Sequence, residues 1–262
     1  MLKFLTKAII FLGVIVGAIT FVYLYDLYQE IKDDIDSVVN YNPKQSTQFF
    51  DKNGKLLANT FKDENREYVN YDDIPARVIE GLVAIEDTQF FEHFGVNPDA
   101  ISRAVIKNIQ SGGYSEGAST LTQQLIKVLL LSREKKIIRK VKEALLAVRL
   151  ETVLTKEEIL ERYLNHVYFG HGYYGVKTAA KGYFKKNLYE LTLKEIAILV
   201  GLPRAPSFYD PTKNLQVSLA RANQVITRMH TLGWINNEQF EESINETPTI
   251  YNQTLTQNIA PY

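Results

Sequence analysis

AIEDTQFFEHFG (residues 84–95) is the stretch on which the reading of this chain turns. Two adjacent acids, Glu86 and Asp87, end the apolar run VIEGLVAIED (78–87), and Phe90, Phe91, His93 and Phe94 follow at once. Val78, Ile79, Leu82, Val83 and Ile85 recur at i, i+3, i+4 spacing, so the acids stand where an amphipathic helix leaves its core. Acids at helix ends and phenylalanines in cores are common, and the stretch alone reads equally well as plain structure. Its surroundings decide.

Upstream, Pro75 suits the first turn of that helix. Gln48-Phe49-Phe50 and Lys55 to Ala58 flank Asn53-Gly54, the pattern of a β-hairpin. Residues 26–45 read as a polar stalk with helical tendency. Before them, Ala8 to Tyr25 is an uncharged apolar run. As a helix it spans roughly 27 Å, close to the roughly 30 Å of a bilayer's hydrocarbon core. Lys3 and Lys7 precede it and Asp26, Glu30, Asp33 and Asp34 follow, which predicts a cytoplasmic N-terminus (1–7) and a transmembrane helix (8–25). A cleaved signal peptide is the alternative, but the run is long for one and no small-x-small site follows.

Downstream, SGGYSEGA (111–118) predicts a flexible loop. Helical patterns cover 119–131, 135–154, 155–165, 174–184, 192–202, 215–232 and 236–244. Thr155 and Glu158 form a capping-box signature. Strand signals are few, so the expected fold is mostly α with a small β-hairpin element, preceded by one transmembrane helix. The main domain is expected over 46–245. The polar tail 246–262 reads as the start of a linker. Formal net charge is zero over 262 residues, giving no bulk attraction to nucleic acid. The absence of cysteine excludes disulfides, thiolate catalysis and cysteine-ligated zinc.

Two further clusters carry chemistry. GASTLTQQLIK (117–127) packs Ser119, Thr120, Thr122, Gln123 and Gln124 into the start of an apolar helix. Capping accounts for Ser119 or Thr120 but not for paired glutamines followed by Lys127. On a helix, Thr120, Gln124 and Lys127 share one face, which would suit an anion. In RKVKEALLAVRLE (139–151), Glu143 is spaced to meet both Arg139 and Lys140. Between Lys127 and Arg149 eight basic residues face two acids. Lys135, Lys136 and Lys142 are expected on a solvated or lipid-facing surface.

EDTQFFEHFG, GASTLTQQ, RKVKEALLAVRLE, YLNHVYFGHGYYGV and EIAILVGLPRAPS occur in that order. Together they resemble the five motifs of the family 51 peptidoglycan glycosyltransferases, found in class A penicillin-binding proteins and monofunctional transglycosylases. The resemblance covers roughly residues 45–240. It implies a lysozyme-like, mostly helical fold that polymerises lipid II, with growing glycan-lipid as donor and polyprenyl pyrophosphate as leaving group. It makes Glu86 the general base and Glu143 the second essential acid. Asp87 is implied to support the site, by orienting backbone or a cation. Lys127, Arg139 and Lys140, with Asp87, Ser119, Thr120, Gln123 and Gln124, are implied to bind the substrate and its pyrophosphate. His93, Phe90, Asn165 and Gly170 are implied to be structural. The family admits a divalent cation, Mg or Mn, with no certain ligand here. Expected partners are lipid II, the bacterial cytoplasmic membrane and other cell wall synthesis proteins. The catalytic part would then lie on the periplasmic or extracellular side.

Phe90 and Phe91 are expected to desolvate Glu86 and raise its pKa. Phe169, Tyr173 and Tyr174 are read as core rings with stacking on sugar as the alternative. Ser132-Arg-Glu-Lys135 and Ser243-Ile-Asn245 spell two transpeptidase motifs, but no KTG or KSG accompanies them and both are chance. The linker reading implies a transpeptidase domain beyond this chain, with a monofunctional enzyme as the alternative. A lysozyme-like hydrolase and a non-catalytic membrane scaffold are the rival functions. Neither explains the acids and cations together.

Overall fold

The computed structural model describes residues 2–40, 47–53, 56–60, 65–113, 117–130 and 136–252. Helix α1 (Leu2–Ile31) is followed by α2 (Asp34–Val39). Strands β1 (Thr47–Phe50) and β2 (Leu56–Thr60) pair antiparallel with an irregularity at Phe49/Phe50, as the Asn-Gly signal predicts. Strand β3 is Asn65–Arg66. Helices α3 (Ala76–Glu86), α4 (Pro98–Ser111), α5 (Leu121–Leu129), α6 (Lys136–Leu150) and α7 (Lys156–His166) follow. Strand β4 (Tyr173–Tyr174) lies parallel to β3. The chain continues through α8 (Val176–Phe184), α9 (Leu193–Gly201), α10 (Pro206–Tyr209), α11 (Leu215–Thr231) and α12 (Asn237–Asn245). The described chain is therefore mostly helical with little strand, as expected. The helix ends come within a few residues of their expected positions, and Pro75 takes the cap position rather than the first turn.

The apolar stripe of α3 explains its place. Val78, Leu82 and Val83 are buried with Ile196, Leu199 and Val200 of α9 and Ala222, Val225 and Met229 of α11. Burying a side chain such as Leu82 contributes about 1.5–3 kcal/mol. The helix ends where Asp87 leaves helical geometry, so the acids of the decisive stretch emerge at the end of a buried helix. Helices α5, α7, α9 and α12 each begin with a reciprocal capping box: Thr120/Gln123, Thr155/Glu158, Thr192/Glu195 and Asn236/Gln239.

Residues 26–39, expected as a polar stalk, fold against the domain. Leu27, Ile31, Ile35 and Val38 are buried, and α1 and α2 both contact α6. Their spacing of about four places one apolar stripe on a helix, with acids on its other face. Lys142, expected on a solvated or lipid-facing surface, is buried in this contact and pairs with Glu30 at 3.2 Å. Burying an ammonium demands such a partner. Lys135, residues 41–46, Tyr114–Glu116 of the Gly/Ser loop and the tail from residue 253 lie outside the described residues.

Candidate active site

Glu86 is the last residue of α3, and both its carboxylate oxygens are held. Gln124 of α5 donates through Nε2 to Oε2 at 3.1 Å. Arg221 of α11 donates through Nη2 to Oε1 at 3.2 Å. Burial pushes the pKa of Glu86 above the ordinary carboxylate value. Gln124, Arg221 and Arg204 pull it back in that order, and Asp87 adds to the rise. Arg221 reaches the carboxylate because position 201 is glycine: a Cβ there would lie 2.9 Å from the Arg221 Cγ. Burial lowers the pKa of Arg221, with the Glu86 carboxylate opposing.

Asp87 turns the other way. Its Oδ2 accepts the Leu121 N–H at the start of α5 (3.0 Å) and lies 2.9 Å from His93 Nε2. The carboxylate thus sits at the positive end of α5 and ties the loop to it. Phe90 is fully buried beneath Lys156, whose Nζ lies 4.4 Å from its ring centre and donates to the His93 carbonyl at 2.8 Å. Phe91 and Phe94, however, are each 53% exposed. The desolvating walls of Glu86 are helices α3, α5 and α11, and the exposed rings do not provide them. Gly95 has φ of 77°, and a Cβ there would meet the Ala147 backbone at 2.6 Å, so only glycine lets this loop cross α6.

Thr120 and Gln123, expected to bind substrate, form the cap of α5, and Thr120 also lines a cavity beside Glu86. Each accepts the other's backbone N–H, and the Thr120 hydroxyl donates to the Gly95 carbonyl at 2.7 Å. Of the expected shared face of Thr120, Gln124 and Lys127, the first caps α5, and the other two line one cleft with Glu86. Gln124 escapes the cap and serves Glu86.

Glu143 has no exposed surface. It accepts from Arg139 Nε at 3.0 Å and forms a close pair with Lys140 Nζ, which also donates to Ser119 Oγ at 2.8 Å. The spacing expected of α6 is therefore realised. A cleft of about 380 Å³ is lined by Glu86, Ser119, Gln124, Lys127, Lys140, Glu143 and Arg204. A second cavity of about 510 Å³ shares Glu86, Ser119 and Arg204 and adds Asp87, Arg103, Lys107 and Arg228. The two cavities meet at Glu86. Arg139 lines neither of them and bears on the cleft through Glu143. Among the described residues, no group of three or more His, Asp or Glu could hold a metal ion.

Asn165 and Gly170, expected to be structural, lie in the loops and helix end around β3 and β4. Asn165 accepts the Val69 N–H at 2.8 Å and donates to the Val69 carbonyl at 2.7 Å, clasping the chain beside β3. Gly170 turns with φ of 88°, its would-be Cβ 2.9 Å from the Tyr183 hydroxyl. Sequence reasoning missed Arg204 and Arg221. The second left a signal: Ser218, Arg221, Ala222, Val225 and Met229 form one buried stripe of α11, and an arginine on such a stripe needs a buried acid.

The transglycosylase family model matches residues 53–230. Penicillin-binding protein 1A of Aquifex aeolicus is 42% identical over 241 residues, covering 91% of this chain and 33% of that protein. Penicillin-binding protein 1A of Escherichia coli is 40% identical over 226 residues, covering 85% and 26%. Penicillin-binding protein 1F of Bacillus subtilis is 40% identical over 194 residues, covering 74% and 27%. A crystal structure of penicillin-binding protein 1A from Haemophilus influenzae aligns with 82% of this chain and 22% of its own, with a TM-score of 0.49 and 27% identity. The chain thus spans about a quarter to a third of the length of these relatives. The matched residues include both acids, Gln124, the cleft cations and Arg221, and on that match the chain belongs to the transglycosylase family.

Proposed function

We propose that this chain is a peptidoglycan glycosyltransferase that polymerises lipid II into β-1,4-linked glycan with release of polyprenyl pyrophosphate. The observation that carries this reading is one cleft shared by two acids and three cations: Glu86 and Glu143 with Lys127, Lys140 and Arg204. Glu86 takes the proton from the 4-hydroxyl of the incoming sugar, a step that general-base catalysis accelerates by typically 10²–10⁴-fold. Its raised pKa makes it a stronger base than a free carboxylate. The hydroxyl oxygen then attacks the anomeric carbon of the donor in a single displacement, which inverts the α-linked pyrophosphate to a β-glycoside and needs no covalent intermediate. Lys127 and Lys140 meet the charge that develops on the departing pyrophosphate. Glu143 holds Lys140 in place, and Arg139 holds Glu143. The apolar helix anchors the domain in the bacterial cytoplasmic membrane with its N-terminus inside, beside the lipid substrate.

Incubation of the purified protein with lipid II in detergent tests this. Glu86→Gln keeps the size of the side chain but cannot accept the proton, and it should leave less than about a hundredth of the wild-type polymerisation rate. A variant with more than a tenth of that rate, or shortened glycan as the product, would remove the assignment.

A further inference from the structure

We propose that Tyr163 is a positioning residue for the reaction: its hydroxyl locks the Gln124 amide with its NH₂ toward Glu86. The inference rests on the reading of Glu86 as the base. Tyr163 lies on α7, is 1% exposed, and its hydroxyl is 3.1 Å from Gln124 Oε1. Gln124 Nε2 is in turn 3.1 Å from Glu86 Oε2. An ionised carboxylate accepts only, so the amide must turn its NH₂ to Glu86 and its oxygen to Tyr163. The hydroxyl therefore donates. Burial, and after it the Glu86 charge, holds the phenol pKa well above the ordinary tyrosine value, so this proton stays in place.

The chain of bonds has a direction. Without the hydroxyl, a buried amide oxygen loses its partner, and turning the amide over would present that oxygen to Glu86. That arrangement repels the carboxylate and accepts a bond from the protonated acid. The base would keep one donor, Arg221 on Oε1, instead of two. The other charges facing Glu86 stay where they are: Arg221 from α11, Arg204 from the turn after α9, Asp87 from its own segment, and Lys127, Lys140 and Glu143 around the cleft. A change on losing the Tyr163 hydroxyl is therefore attributable to the amide.

The test is the pH profile of lipid II polymerisation by the full chain. Tyr163→Phe should move the acid limb of kcat/KM upward by about one to two pH units, since a hydrogen bond to a charged group is worth about that much. On the alkaline plateau the rate should stay within about two-fold of wild type, with KM unchanged. Gln124→Leu should move the limb in the same direction, and adding Tyr163→Phe in that background should move it no further. Tyr183→Phe also removes a buried hydroxyl, one that donates to the Phe169 carbonyl at 3.0 Å. It should leave the limb in place, which separates the lock from general loosening. A limb unmoved by Tyr163→Phe, or moved equally by Tyr183→Phe, overturns the inference. So does a further shift in the Gln124→Leu background. If Glu86→Gln is inactive while the limb stays put, only the role of Tyr163 falls; if Glu86→Gln is active, the underlying reading falls first.

Discussion

Glu86 is buried enough to prefer its proton and surrounded by enough donors to lose it. The rise in its pKa places the acid limb of polymerisation above the ordinary carboxylate value. Removing the counter-charge in Arg221→Met should push that limb further up, by about one pH unit, so the rate loss is largest in acid and recovers as pH rises. A profile that drops equally at every pH would show Arg221 to be scaffolding only. The same shift bears on stability. The folded chain holds this proton more tightly than the unfolded chain does. The stability it lends is therefore present below the ordinary carboxylate value and lost as pH rises through the raised one. The cations divide by position. A hydrogen bond to a charged oxygen contributes roughly 1.5–3 kcal/mol, so Lys127→Ala and Lys140→Ala should each slow polymerisation by roughly 10–150-fold. Equal, small losses in both would mean that the cations only draw the domain toward acidic lipid. At this scale the sequence showed the acids, Gln124 and the basic cluster, because chemistry-bearing residues cluster there in short spans. It hid Arg221 and Tyr163, which reach the site from α11 and α7 across more than a hundred and about forty residues respectively. It also offered Thr120 and Gln123 as ligands, because a capping box and a binding cluster are spelled with the same residues.

Among the elements, α4 is the one whose exposed face runs against a simple solvent surface. Only Ala100 and Ala104 are buried, while Ile101, Val105, Ile106 and Ile109 are exposed, with Arg103 and Lys107 among them. That pattern also explains why the helix was not legible: its apolar residues form no core-facing stripe. Its start is fixed by Asn97, which accepts the Ala100 N–H at 2.9 Å, and by Pro98 in the first turn. An apolar ridge edged by cations suits the boundary between headgroups and acyl chains. A chain shortened to begin at Asp26 should therefore still bind anionic vesicles at low salt. Ile106→Glu and Ile109→Glu should each weaken that binding by roughly ten-fold or more, given about 1.5–3 kcal/mol for each buried isoleucine. Binding that both variants retain in full would place the contact elsewhere. Helix α6 faces two ways, with Lys140 and Glu143 on the cleft and Lys142 against Glu30 of α1.

For the molecule as a whole, the boundary between anchor and catalytic domain does not fall where charge and hydropathy place it. Shortening the chain to Asp26 leaves Leu27, Ile31, Ile35 and Val38 in the core; shortening it to Asn42 removes all four. The first should unfold at a temperature close to that of the full chain. The second should melt many degrees lower, since each lost side chain withdraws about 1.5–3 kcal/mol of burial. Matching transitions in a thermal scan would mean that these residues are dispensable to the fold. Helix α1 runs without a break from Leu2 to Ile31, its last turns buried in the domain, and at 1.5 Å per residue it is a rod about 45 Å long. A rod so joined to the domain, set in a bilayer, would hand any tilt that the surrounding lipid imposes on it to the cleft.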